Sequence, residues 1–185
     1  MNSKLQKIRR EYGNANFNEK AALPNPIDQF KQWFAALLKT PTIDPSAMVV
    51  ATVDSEGKAD ARVLLLKDII NDCFVFYTNY LSAKALQIEQ NNQVALNFYW
   101  PELSRQVRVR GTASKTSAEL SDKYFSDRPR ASQLSAIASP QSQIIKNREI
   151  LKTAFQKLDN EFQEKSIQRP AYWGGYQVKP DIIEF

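Results

Sequence analysis

Three cationic side chains bracket two apolar segments in one short stretch of this sequence: Arg62-Val-Leu-Leu-Leu-Lys67, a polar turn, Phe74-Val-Phe-Tyr-Thr-Asn79, and then Ser82-Ala83-Lys84. Packing does not account for a cation at each end of a Val/Leu strand, because an unpaired charge is costly to bury. An anionic ligand does account for it. Ser82 is placed to cap a helix whose first turn holds Lys84, and a helix N-terminus presents unpaired N–H groups and a positive dipole end to phosphate. A lysine there opposes the dipole unless an anion compensates. The competing reading is a solvated surface lysine and ordinary charges at strand ends.

Other polar groups recur at structured spacings. Arg62 and Lys67 differ by five, so a regular strand sends them to opposite faces. Gln106, Arg108 and Arg110 share one strand face; a solvent-facing stripe explains the arginines, while the Gln106 amide could also meet a heterocycle edge. Tyr124, Arg128 and Ser132 follow at intervals of four, with Pro129 interrupting any continuous helix, so they are expected at the mouth between two helices. Arg128 and Arg130 beside Ser132 would suit a second phosphate, against the alternative of a charged interhelical turn. Trp173-Gly174-Gly175 invites a packing explanation, the glycines allowing close approach and the indole filling core.

Composition closes off several chemistries. The 185 residues contain no histidine and one cysteine, Cys73, so Ser-His-Asp and Cys-His catalysis, Cys/His zinc sites and an intrachain disulfide are excluded for the sequence as given. No metal site is expected. A hydrophobic content of 43%, with 11% aromatic, fits one globular domain with a real core, and no apolar run is long enough to span a bilayer. The net charge is +5, of which residues 1–20 carry +3 through Lys4, Lys7, Arg9, Arg10 and Lys20 against Glu11 and Glu19. No nucleic-acid motif accompanies that charge. A cytoplasmic protein is expected, with residues 1–22 a flexible basic segment and 23–185 a single domain.

The elements that must hold these groups follow from periodicity. Phe30, Trp33, Phe34, Leu37 and Leu38 predict a helix over 28–39, stopped by Thr40-Pro41. Strands are expected at 48–53, 62–67, 74–78, 94–100 and 105–112, with a helix over 82–91. Helices are expected at 117–126, 132–138 and 142–164, and closing strands at 172–178 and 182–185. Strands followed by helices, without strict alternation, argue for an antiparallel barrel with helices packed outside.

Taken together, these stretches resemble the pyridoxamine 5'-phosphate oxidase family. The resemblance runs in order through Arg9-Arg-Glu-Tyr12, Ala47-Met-Val-Val-Ala-Thr-Val53, the 62–67 and 76–79 segments, Gln87-Ile-Glu89, Arg105-Gln-Val107, Tyr124-Phe-Ser-Asp-Arg-Pro129, Gln141-Ser142, Tyr172-Trp-Gly-Gly-Tyr176 and Ile183-Glu-Phe185. It implies an α+β fold, an antiparallel FMN-binding split β-barrel that is homodimeric with FMN at the interface. By motif, Arg62, Val63, Leu64, Leu65, Lys67, Tyr77, Thr78, Lys84, Gln106, Gln141 and Ser142 would hold FMN, Lys84 meeting its phosphate. Lys67, Tyr124, Arg128 and Ser132 would hold the substrate, with Arg9 and Tyr12 on an N-terminal segment that closes over it.

The implied reaction oxidises pyridoxamine or pyridoxine 5'-phosphate to pyridoxal 5'-phosphate with O2 as acceptor and H2O2 as product; no side chain is assigned as catalytic. Alternatives are a split-barrel flavin oxidoreductase with another substrate, or a non-catalytic binder of FMN or a vitamin phosphate. Two departures stand out. The family has Ser-Arg-Lys where this sequence has Ser82-Ala83-Lys84. It also continues past Glu-Phe with a Trp and an Arg-Leu-His-Asp-Arg motif that serves both sites, whereas this sequence ends at Phe185.

Overall fold

The computed structural model describes residues 7–8 and 17–185. Asn25 accepts the Ile27 N–H at 2.8 Å and Pro26 fills the first turn, so helix α1 (Pro26–Leu37) starts under a side-chain cap. Its buried stripe of Ile27, Phe30, Trp33 and Leu37 faces a sheet of seven strands. These are β1 (Ala47–Val53), β2 (Ala59–Leu65), β3 (Asp68–Ile70), β4 (Cys73–Asn79), β5 (Gln93–Trp100), β6 (Arg105–Lys115) and β7 (Trp173–Glu184). All neighbours are antiparallel, in the order β2-β1-β5-β6-β7-β4-β3.

The sheet curls into a barrel wall. Phe98 on β5 and Phe74 on β4 lie three strand spacings apart, about 14 Å in a flat sheet, yet their ring centroids are 6.0 Å apart. Phe30 of α1 plugs the concave side, 4.9 Å from Phe98 and 5.0 Å from Phe74. Helix α2 (Ala83–Gln90) closes one end through Ala85 and Ile88. On the convex side of β4 and β7, helices α3 (Ala118–Ser126), α4 (Arg130–Ala138) and α5 (Glu149–Glu161) build a second, smaller core from Phe125, Leu134, Ile167 and Trp173, joined by Tyr77, Tyr124 and Phe155.

The expected fold class holds, with local differences: the strand expected over 62–67 runs Ala59–Leu65 and leaves Lys67 outside it, and three more follow. A three-residue strand, β3, was too short to show a period; Asn71 and Asp72 between it and β4 both have positive φ, as a tight two-residue hairpin requires. The long helix expected from residue 142 begins at Glu149, because Pro140 opens a turn in which Ser142 is left-handed (φ 68°) and Ile144 is fully exposed rather than part of an apolar stripe. The two closing strands are one, β7 running through Pro180. There β6 shifts register at Gly111, whose missing side chain lets the Lys179 carbonyl come within 2.2 Å of where a Cβ would stand.

Candidate functional site

Strand β4 sends alternate side chains to the two cores, and its end supplies both halves of the site. Thr78 points to the concave side, towards the start of α2. There Lys84 is 6% exposed, and its ammonium donates to Thr78 Oγ1, Ser82 Oγ and Gln141 Oε1, each at 3.2 Å. All three acceptors are neutral, and among the described residues no carboxylate forms an ion pair with it. Burial, reinforced by the nearby Arg62 charge and only partly offset by Asp60, pushes its pKa down to about 8. Ser82 is at the cap position as expected, but its hydroxyl donates to the Asn79 carbonyl at 2.7 Å, so α2 has no side-chain cap.

Arg62 reaches inward from β2. It donates to the Val50 carbonyl (3.2 Å), to Thr52 Oγ1 (2.6 Å) and to Gln87 Oε1 (3.3 Å), and pairs with Asp60. Lys67 is exposed and lies past the end of β2 at Leu65, so it is not on the same strand as Arg62 and strand parity does not set its direction.

Tyr77 points to the convex side. Its ring stacks on Tyr124 at 3.7 Å and lies nearly parallel to Trp173 at 5.6 Å. Burial pushes the Tyr77 phenol up to about 12, with Tyr124, Asp68 and Tyr80 adding to the shift, so it stays protonated. The Arg128 guanidinium lies 4.5 Å from the centroid of Trp173 and donates to the Ser132 carbonyl at 3.1 Å. Its pKa is lowered by burial, and among the described residues it has no ion-pair partner. Arg130 differs: it pairs with Asp159 of α5 at 3.1 Å, which cancels its charge locally.

A cavity of about 330 Å³ joins the two halves, lined by Tyr77, Thr78, Asn79, Arg128, Gln141 and Trp173 among others. Gln141 crosses from the loop after α4 to Lys84, and Ser142 follows it exposed. One wall is therefore a flat aromatic surface, and two partly or wholly buried cations lack carboxylates. Such a set suits a phosphate ester with a planar ring, since an anion would relieve both unpaired charges.

Not every expected site residue converges here. Tyr124 and Arg128 meet at the interhelical turn; for Ser132 it is the backbone carbonyl that makes the contact, the side chain having no bond described. Leu64 packs against the main core. Val63, Leu65 and Gln106 lie on the outward face of the sheet, opposite Arg62 and Leu64, and Lys67 lines a separate groove beside α1. Arg9 and Tyr12 lie outside the described residues. Three groups went unassigned in the sequence: Thr52 and Gln87, which bond Arg62, and Trp173, which backs Arg128. A lone buried threonine within the apolar 48–53 run was the available signal for the first.

A family model described as pyridoxamine 5'-phosphate oxidase matches residues 31–161. A pyridoxine/pyridoxamine 5'-phosphate oxidase of Legionella pneumophila (strain Paris) is 54% identical over 181 residues, covering 98% of this chain and 84% of the relative. The protein so named from Leptospira interrogans (strain Fiocruz L1-130) is 45% identical over 185 residues, covering 100% and 86%. Among solved structures, PhzG from Burkholderia lata, in complex with tetrahydrophenazine-1-carboxylic acid, superposes with a TM-score of 0.86 at 25% identity, covering 92% and 84%. An FMN-binding protein of Nostoc punctiforme related to pyridoxamine 5'-phosphate oxidase shares the fold, with a TM-score of 0.71 at 18% identity over 88% and 84%.

Proposed function

The chain belongs to the pyridoxamine 5'-phosphate oxidase family, and from that premise we propose that it is an FMN-dependent oxidase of pyridoxamine or pyridoxine 5'-phosphate. The product is pyridoxal 5'-phosphate. The observation that carries this reading is the buried Lys84 ammonium with three neutral oxygens around it, two of them on Thr78 and Gln141, which line one cavity together with Arg128. One cation suits the cofactor phosphate and the other the substrate phosphate.

Lys84, Thr78, Ser82 and Gln141 would hold FMN, with Arg62 adding charge. Bound there, FMN would supply the two-electron chemistry, taking a hydride equivalent from C4' of the substrate and yielding its electrons to O2 to give H2O2. The amine substrate leaves an imine, which water hydrolyses to aldehyde and ammonia; the alcohol gives the aldehyde directly. Arg128 would anchor the substrate phosphate, and Tyr77, Tyr124 and Trp173 would keep the ring side of the cavity apolar. Because these groups bind and orient, the absence of histidine does not remove the chemistry.

We further propose a homodimer formed through the outward face of the sheet. Paired positions place Val63, Val49, Asn97 and Arg108 in one row, and the pairs Leu65–Ala47 and Tyr99–Gln106 lie on the same face. Val63 is 64% exposed, Tyr99 59% and Ile182 50%, while Asn97 Oδ1 is buried with no partner among the described residues. A second copy covering this face would bring Val63, Leu65 and Gln106 into a shared site and account for their failure to converge in one protomer.

The test is anaerobic titration of the flavin-loaded protein with pyridoxamine 5'-phosphate. Bleaching of the visible flavin bands, reversed by O2 with release of H2O2, is expected. A yellow protein that stays oxidised refutes this substrate and favours another, and a protein that takes up no FMN refutes the flavin reading.

A further inference from the structure

Thr52 is the one side chain in β1 whose chemistry the barrel core does not need. Its neighbours in the strand are Ala, Met and Val, it is completely buried, and a valine of nearly the same shape would pack there without a hydroxyl to satisfy. That hydroxyl is bonded in both directions. It accepts from Arg62 Nη1 at 2.6 Å and donates to Gln87 Oε1, the same oxygen that accepts from Arg62 Nη2 at 3.3 Å.

Four acceptors thus fix Arg62. Val50 O and Thr52 Oγ1 take the two hydrogens of Nη1, and Asp60 and Gln87 take those of Nη2, so among the described residues only the Nε–H remains uncommitted. The Arg62 side chain is 18% exposed whereas its Asp60 partner is 50% exposed, so solvent screens the carboxylate more than the guanidinium. Gln87 stands one helical turn after Lys84 on α2, which ties the strand carrying one cation to the helix carrying the other. Position 83 is alanine, so the first turn of α2 offers no second cation.

Resting on the proposed FMN site, we propose that Thr52 and Gln87 are positioning residues that hold the Arg62 charge beside Lys84, so that two cations bear on the flavin phosphate. Arg62 acts there through its fixed charge, its terminal hydrogens being committed to the protein. The bond from Arg62 to Gln87, one turn along α2 from Lys84, is the geometric link between the two charges, and the Arg62 charge lowers the Lys84 pKa accordingly. The consequence is selective: the arrangement should strengthen binding of a phosphorylated flavin and leave the isoalloxazine ring indifferent.

The experiment compares FMN with riboflavin, which lacks the phosphate, by flavin-fluorescence titration of the apoprotein. Thr52→Val and Gln87→Leu should each raise the Kd for FMN about tenfold, equivalent to about 1.4 kcal/mol, with the riboflavin Kd changed less than about twofold. Thr52→Ser, which restores the hydroxyl, should return FMN affinity to within about twofold of wild type. Equal weakening of both flavins reduces Thr52 and Gln87 to general structural roles and overturns the proposal. Full retention of the FMN preference in both variants also overturns it while leaving the Lys84 site intact. Wild-type protein that binds the two flavins alike, or a Lys84→Ala variant that keeps the wild-type preference, refutes the phosphate site itself and the proposal with it.

Discussion

The Arg128 guanidinium and the Trp173 indole form a cation–π pair, 4.5 Å from charge centre to ring centroid, with no carboxylate completing it among the described residues. An aromatic face steadies a cation without neutralising it, unlike the Asp159 carboxylate that pairs with Arg130. Arg128→Ala should therefore raise KM for the phosphorylated substrate about 10- to 100-fold, the range expected for one charge-assisted contact, with a smaller change in kcat. Trp173→Leu should raise KM less, by about three- to tenfold. Steady-state kinetics separates the two, and an unchanged KM in Arg128→Ala would remove it from the substrate site.

Lys84→Met replaces the buried ammonium with an apolar chain of similar length. Because the wild-type charge has no carboxylate to offset its desolvation, the apoprotein should melt no lower than wild type. The stabilisation that excess FMN confers should largely disappear, since ligand stabilisation follows affinity. Thermal melts with and without FMN test both halves, and a full FMN-induced shift in the variant would contradict the assignment.

Proton uptake should accompany FMN binding at alkaline pH. The free Lys84 pKa is near 8, and a phosphate beside it would favour the charged form and raise that pKa. Affinity should thus be level below pH 8 and fall with rising pH, about tenfold per unit, until the pKa of the bound form is reached. Flavin titrations from pH 6 to about 9.5 read this out, with Lys84→Met flat over the same interval.

Gly111→Ala should be strongly destabilising. The new Cβ would stand 2.2 Å from the Lys179 carbonyl oxygen, a backbone atom held by the β6–β7 ladder. A loss of about 1–3 kcal/mol is expected from overpacking at an unyielding neighbour, measured by urea unfolding. Gly57→Ala has open space around the new methyl and should cost only the strain of its positive φ.

Charge on the outward sheet face should separate protomers. Val63→Asp puts a carboxylate in the row with Val49 and Asn97, where a proposed second copy would bury it. Sedimentation velocity should show the wild type dimeric and the variant shifted to monomer, with FMN affinity lowered. An unaltered dimer would place the interface elsewhere.

Much of this arrangement was legible because local chemistry and global position agree. Lys84 stood out as a cation in a place where packing gives no reason for it, Arg128 as one of two arginines that would suit a phosphate, and among the described residues neither has a carboxylate partner. Arg62 and Lys67, expected at the two ends of one strand, part because β2 stops at Leu65. What stayed hidden was set by distant partners. Arg128 and Arg130 read alike until Asp159, 29 residues further on, selects one of them for neutralisation. Thr52 gained meaning only when strand pairing set it opposite Asp60 and within reach of Arg62, which no periodicity foretells. The apolar residues at 144 and 145 mimic a helix stripe, but the turn at Pro140 spends that stretch on delivering Gln141 to Lys84.

The position of β7 in the sheet carries a consequence for how the chain acquires its shape. Among the described strands, β4 is joined to β1, β2, β5 and β6 only through β7, which follows all of them in sequence. A ribosome therefore releases Tyr77 and Thr78 about a hundred residues before the strand that docks them can emerge. The β3–β4 hairpin must wait with one long edge open, and the cavity closes as one of the last events, across separations of 57 and 63 residues between Gln141 and its partners Lys84 and Thr78. Folding of this protein should be slow, with that open edge as its most aggregation-exposed surface until β7 docks.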